Sequence, residues 1–225
     1  MSGEIYAVSH SITGEKQFSG QMVLTYDIEY PQFVTFSSTA SLRRINMEYK
    51  EQAAILAQYA QVTLFAEAVA DFRGRAQEGF PFFPYGLTRT FTLTYGQDCI
   101  ISLYLDEYTF TGGAHGSTIR TADTWQARTA ARLPLASLFR PGVDYQERIL
   151  TVVIAEAQHR AQEDPNLYFG DPAELVVQSF DPANFYLTPA GIVIYYQQSE
   201  IGPYAVGIQT FLVPYGPVGA RIPGC

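Results

Sequence analysis

Basic residues are scarce in this chain. Of its 225 residues only Lys16 and Lys50 are lysines, and the fourteen Lys and Arg together face twenty-two Asp and Glu, for a net charge of −8. A surface of that sign repels a phosphate backbone, which excludes nucleic acid as a partner. Histidine is scarcer still, with only His10, His115 and His159. No His-x-x-x-His or His-Glu-x-x-His pair exists, so the usual helical metallohydrolase ligand set is excluded. Glu156 and His159 have the Glu-x-x-His spacing of di-iron bundles, but that chemistry needs the motif twice, so this copy reads as a solvated helix face.

Two cysteines, Cys99 and Cys225, cannot build a disulfide framework or a four-ligand zinc site. Cys225 ends the chain, where residues fray, so no bridge to Cys99 is expected. Cys99 instead reads as a small packing residue within a strand, and cysteine usage leaves the compartment open. Long apolar runs are also missing. The nearest, Ala53–Ala70, is interrupted by Gln58, Gln61, Thr63 and Glu67. Met1–Glu4 has neither the basic region nor the apolar core of a signal peptide. The expectation is a cytoplasmic protein or an ectodomain whose targeting or anchoring segment lies outside this sequence. There is no Gly-x-Ser-x-Gly elbow, phosphate loop or dinucleotide fingerprint. No cofactor, metal ion or catalytic residue is therefore assigned.

Aromatics make up 14% of the chain and apolar residues 47%, a globular composition suited to β structure. Ile5–Ser11 and Gln21–Tyr30 read as strands punctuated by Gly14 and Gly20, with Leu24, Tyr26 and Ile28 alternating against Thr25, Asp27 and Glu29. Pro31 is expected to interrupt the second strand, which resumes over Phe33–Phe36. From Ser41 to Gln77 the apolar period changes to threes and fours. Ile45, Tyr49, Ile55, Leu56, Tyr59, Val62, Phe65, Val69 and Phe72 trace a helix of roughly 50 Å, with Ser41 as N-cap and Gly79 and Pro81 as its stop.

A strand pair follows over Leu87–Tyr95 and Cys99–Phe110, then a polar strand from Ser117 to Arg128. Leu135–Phe139 reads as a short helical turn, Asp144–Gln162 as a second amphipathic helix, and Asp171–Val177 as a third, capped by Asp171 with Pro172 at its first position. Phe185–Thr188, Ile192–Tyr196 and Val206–Val213 form a small closing meander. Strands cluster around helices, so the class is α+β. The expected architecture is an antiparallel sheet or sheets packed by one long helix and a shorter one. Residues 1–116 and 117–225 are two sequence halves of what reads as one compact unit.

One segment concentrates unusual residues. Gly112, Gly113 and Gly116 lie within five positions around Ala114 and His115, so the backbone there turns tightly or admits another backbone. His115 reads either as a general acid/base or as a loop histidine whose ring bonds nearby main chain.

Tyr108-Thr109-Phe110-Thr111-Gly112-Gly113-Ala114-His115-Gly116 resembles the "Y-x-x-T-G-G-A-H-G" junction of a bacterial extracytoplasmic domain. That domain occurs in the RsiV-type anti-sigma factors and ahead of the catalytic module in the PdaC-type peptidoglycan deacetylases. Its C-terminal half was long known only as a domain of unknown function. Phe185–Tyr196, continuing into Glu200-Ile201-Gly202-Pro203-Tyr204-Ala205-Val206-Gly207, is similar to the family's "N-F-Y-x-T-x-x-G-L-V-I-Y-F … Y-E-I-A-P-Y-A-x-G". Leu133–Phe139 resembles its "L-x-L-x-D-L-F". The likeness spans residues 20 to 215.

The resemblance implies a non-catalytic extracytoplasmic sensor or binding domain. Its partner is expected to be a basic protein such as lysozyme, or cell-wall glycan, with any membrane contact made through a segment outside this sequence. Within it, Tyr196, Gln197, Gln198, Ser199, Glu200, Pro203 and Tyr204 are expected to form the recognition edge: two aromatic anchors, adaptable amides and a proline-held turn. The family has an aromatic where Ser199 stands. The alternatives are a cell-wall-modifying enzyme using His115 with Asp106 or Glu107, and a structural, ancillary domain of a larger exported protein.

Overall fold

The computed structural model describes residues 4–35 and 39–222. The proposed strand end at Phe36 and the terminal Cys225 lie outside them. Among the described residues, nine strands and two main helical segments give an α+β fold, as expected. A six-stranded sheet has the order β1-β2-β3-β4-β5-β6, built from Tyr6–Phe18, Gln21–Val34, Tyr85–Gln97, Ile100–Phe110, Ser117–Gln126 and Ala131–Arg132. A second sheet has the order β7-β8-β9, from Phe185–Thr188, Gly191–Tyr196 and Gln209–Pro214. The chain packs as two compact units, one comprising Met1–Ile5, Thr92–Tyr104 and Arg120–Cys225, the other Tyr6–Phe91 and Leu105–Ile119.

In the second of these units, β1 and β2 form a long antiparallel hairpin turned at Ser19 and Gly20, both in left-handed conformation. Gly14 is not a turn but a mid-strand residue opposite Tyr26. Pro31 does not break β2 either; it pairs with Ser9. β2 pairs with β3 only through Leu24–Ile28, so at Pro31 a second ladder does not need the missing N–H. The β2–β3 pairing is parallel, which a hairpin cannot supply, and the long helical segment serves as the crossover between them.

That segment comprises α1 (Ala40–Tyr59), a π-helical stretch (Ala60–Leu64) and α2 (Phe65–Glu78). The N-cap is Thr39, whose hydroxyl accepts from the Leu42 amide at 3.1 Å, in place of the expected Ser41. Gly79 ends the helix at φ +74°. Length and composition alone would suit a membrane span, yet its buried seam packs against the β2 side of this unit's core. The seam runs Ile45, Tyr49, Ala53, Ala57, Ala60, Leu64, Ala68. Ile55, Tyr59 and Val62, placed on the helical stripe by their spacing, are exposed at 68%, 41% and 62%. Alanines occupy the seam because they let the helix backbone approach the strand closely. Beyond the π stretch Phe65, Val69 and Phe72 are half-buried against the same core, as expected. Within that stretch Gln61 donates to the Tyr26 hydroxyl at 2.8 Å.

In the other unit, α3 (Tyr145–Glu163) is capped by Asp144, whose carboxylate accepts from the Glu147 amide at 3.1 Å. It buries Ile149, Val153 and Ala157. α4 (Pro172–Gln178) has the expected Asp171 cap and leading proline. Both belong to a core with Phe185, Leu187, Ile192, Ile194, Phe211 and Val213 of the three-stranded sheet. A single helical turn, Leu135–Leu138, precedes α3, and α5 (Tyr215–Val218) follows β9.

Cys99 is not a strand residue. It occupies the two-residue turn between β3 and β4 with Asp98, at φ +62° and +52° respectively. It is disulfide-bonded, which overturns the expectation of an inert packing thiol. The only other cysteine of the chain, Cys225, lies outside the described residues.

Candidate functional site

The glycine junction connects β4 to β5, and its glycines have separable causes. Gly112 and Gly113 adopt φ +85° and +93°, a left-handed backbone that reverses the chain after Phe110. Gly116 has ordinary φ but is buried. A Cβ there would collide with the Thr109 carbonyl oxygen and the Tyr108 ring, and its N–H donates to the Tyr108 hydroxyl at 3.2 Å. His115 is exposed, and its Nδ1–H donates to the Gly116 carbonyl oxygen at 3.1 Å. Of the two readings of this histidine, the geometry matches the loop residue bonded to local main chain. Among the described residues no three His, Cys, Asp or Glu side chains come together in a metal-ligand cluster.

The 196–204 loop is held mostly by its own side chains. Tyr196 is 1% exposed, and its hydroxyl donates to the Val176 carbonyl oxygen at 2.7 Å. It is the last residue of β8, so the strand carries it into the core and it cannot serve as a surface anchor. Burial pushes its phenol well above the ordinary tyrosine range. The Gln197 amide accepts from the Arg120 N–H at 2.9 Å and donates to the Arg120 carbonyl at 2.7 Å, mimicking a strand partner for β5. Gln198 donates to the Tyr204 carbonyl at 3.3 Å. The Glu200 carboxylate accepts from the Gln197 N–H at 2.6 Å, and burial raises its pKa. Pro203 and Tyr204 are half-buried at the start of a helical turn, Tyr204–Val206. Among residues 196–204 only Ser199 is exposed, at φ +63°.

Two constellations escaped the sequence reading. In the first, the Arg120 guanidinium lies 3.8 Å from the Tyr104 ring centroid and 5.9 Å from that of Tyr195, whose hydroxyl donates to the Arg120 carbonyl at 3.3 Å. Tyr186 packs against both tyrosines, at 5.0 and 6.3 Å between centroids. Their alternation in strands was visible, but nothing local paired them with Arg120.

The second is a cavity of about 470 Å³ walled by β5, β6, the Leu133–Ala136 segment, Tyr145, the Asp181–Ala183 turn and Phe185. The Asp123 carboxylate accepts from Arg132 Nε at 2.7 Å, and the same guanidinium lies 4.1 Å over the Trp125 ring. These residues come from four separated stretches, and no motif joins them.

A protein with this fold, glycine junction and internally tied loop is an α+β domain whose recognisable motifs build scaffold. Residues 19–118 match the family model described as "Deacetylase PdaC", and residues 136–216 match that described as "Protein of unknown function (DUF3298)". The two matches fall, in order, on the two halves of the PdaC/DUF3298-type arrangement that the chain's motifs implied. A crystal structure of a DUF3298 family member from Bacteroides fragilis is 20% identical, with a TM-score of 0.67 over 95% of this chain and 90% of that one. A DUF3298 family protein from Pseudomonas aeruginosa is 17% identical, with a TM-score of 0.61 over 97% and 95%. At these identities the likeness is one of fold. No curated protein matches the chain.

Proposed function

We propose that this protein is a non-catalytic, extracytoplasmic binding domain for a basic partner protein, with lysozyme as the representative that its family resemblance suggests. The observation that carries this reading is the use of its most reactive-looking motif residues as scaffold. His115 bonds the Gly116 carbonyl, and Glu200 accepts the Gln197 amide. The disulfide at Cys99 supports an oxidising compartment, since such bonds persist mainly outside the reducing cytosol. The net charge of −8 favours a basic partner and speeds encounter more than it tightens the final complex.

The test is the rate of association of a c-type lysozyme with immobilised protein across a salt series, with a basic ribonuclease as charge control. Saturable lysozyme binding, with an association rate that falls as salt rises and a nearly constant dissociation rate, is expected. Equal binding of the ribonuclease would reduce the interaction to bulk charge and reject the reading.

One observation favours the enzymatic alternative: burial raises the Glu107 carboxyl pKa, the direction a general acid requires, while Arg89 opposes the shift. Its test is release of soluble products from a peptidoglycan suspension, abolished by Glu107→Gln and by His115→Ala.

A further inference from the structure

The long helix leaves much of its apolar surface uncovered. Its most apolar stretch is only 28% buried, although it is apolar enough to suit a membrane span. The inner seam packs against the β2 core, while Ala54, Ile55, Gln58, Tyr59, Val62 and Ala66 on the other side are exposed. Residues 52–66 carry no charge at all, in a chain of net charge −8. A solvated helix face is normally charged, so an uncharged strip of about 22 Å suits the contact of a second helix.

The pattern of the strip says which helix. Its midpoint lies between Gln58 and Tyr59; Ile55 and Val62 are equally far on either side of it, and so are Lys50 and Glu67. An antiparallel pair of identical helices crossing there sets Ile55 level with Val62 of the second copy. It also sets the exposed Lys50 level with the exposed Glu67 of the second copy, and symmetry makes each pair twice. Opposite charges at both ends of an uncharged strip fix its direction and register. A parallel pair would instead bring lysine to lysine and glutamate to glutamate. The one like-charged pair set level is Arg44 with Arg73, and Arg73 is held 4.7 Å over the Phe18 ring of its own chain. A bilayer fits the strip less well, because interfacial helices flank their apolar face with Lys and Arg, whereas Glu48, Glu51 and Glu67 flank this one.

We propose that two copies of this chain associate as an antiparallel homodimer through the outer strip of the long helix, with Ile55 against Val62 at its centre and Lys50–Glu67 pairs at its ends. The proposal does not depend on the basic partner proposed above.

The test is sedimentation equilibrium of the full chain from low micromolar to near-millimolar concentration, where a reversible monomer–dimer equilibrium is expected. Ile55→Glu, at a side chain 68% exposed, should leave the melting temperature unchanged and weaken the dimer by about tenfold or more. If Ile55→Glu lowers the melting temperature, Val62→Glu, at a side chain 62% exposed, takes its place. Lys50→Glu and Glu67→Lys should each weaken the dimer, and the double reversal should restore it. A monomer at every concentration, or an undiminished dimer in the glutamate variant, overturns the surface. A double reversal no tighter than the single variants overturns the antiparallel register. A chain that stays monomeric yet cosediments with phosphatidylcholine vesicles gives the strip to a bilayer and overturns the homodimer.

Discussion

Gly113 and Gly116 lie three residues apart, yet they are needed for different reasons, and substitutions there separate backbone conformation from close approach. Gly113 has open space where a Cβ would go, so its constraint is φ +93° alone. Gly113→Val should cost about 1–2 kcal/mol as the price of a left-handed backbone. Gly116 has ordinary φ and no space, so Gly116→Ala should cost about 1–3 kcal/mol through overpacking against Tyr108 and the Thr109 carbonyl. Thermal melts of both variants check this, and an unchanged Gly116→Ala would mean the Tyr108 contact is not required.

Glu200 makes a pH-dependent prediction. Burial raises its carboxyl above the ordinary 4.5, and its hydrogen bond from Gln197 only partly opposes that. A folded-state pKa above the unfolded one gives stability that is complete below the unfolded pKa and lost as pH rises through the folded value. Glu200→Gln should remove that loss, so its stability should change less than wild type as pH rises from about 4.5. Urea denaturation across pH measures it, and parallel curves for the two proteins would contradict it.

At the scale of elements, the long helix separates position from residue size. Leu64 is fully buried in the seam, so Leu64→Ala should cost about 2–5 kcal/mol. Ile55 is 68% exposed, so Ile55→Gln should change stability by no more than about 0.5 kcal/mol despite its larger apolar reputation. Chemical denaturation of the pair reads the difference directly. Much of this level was legible in the sequence. Leu24, Tyr26 and Ile28 alternate in β2 because one face is buried, and Asp144, Asp171 and Pro172 mark helix starts through the unsatisfied amides of a first turn. Legibility ended where local pattern carried no direction. All six residues of β8 are buried, so no alternation warned that Tyr196 points inward. The alanine seam was hidden by larger apolar neighbours. The cavity was invisible because Asp123, Arg132, Tyr145 and Asp181 meet only after folding.

At the scale of the whole molecule, the disulfide and the net charge add support to the functional account. Cys99→Ser should cost about 2–5 kcal/mol, as loss of a native bridge does, and reductant should lower the melting temperature of wild type but not of the variant. A reductant-insensitive wild type would remove the support for an oxidising compartment. The charge of −8 should act over distance, while the loop from Gln197 to Tyr204 contributes little adaptable surface because its polar side chains already bond its own main chain and that of β5. Ser199 holds φ +63°, so Ser199→Tyr would place a bulky ring on a strained backbone and is not expected to improve contact without a cost in stability. The most direct measurement is calorimetric titration of the intact protein with a c-type lysozyme at low and at moderate salt. Saturable binding at both, weaker at the higher salt, is the result expected of a binding domain for a basic partner; no heat of binding at either would contradict it.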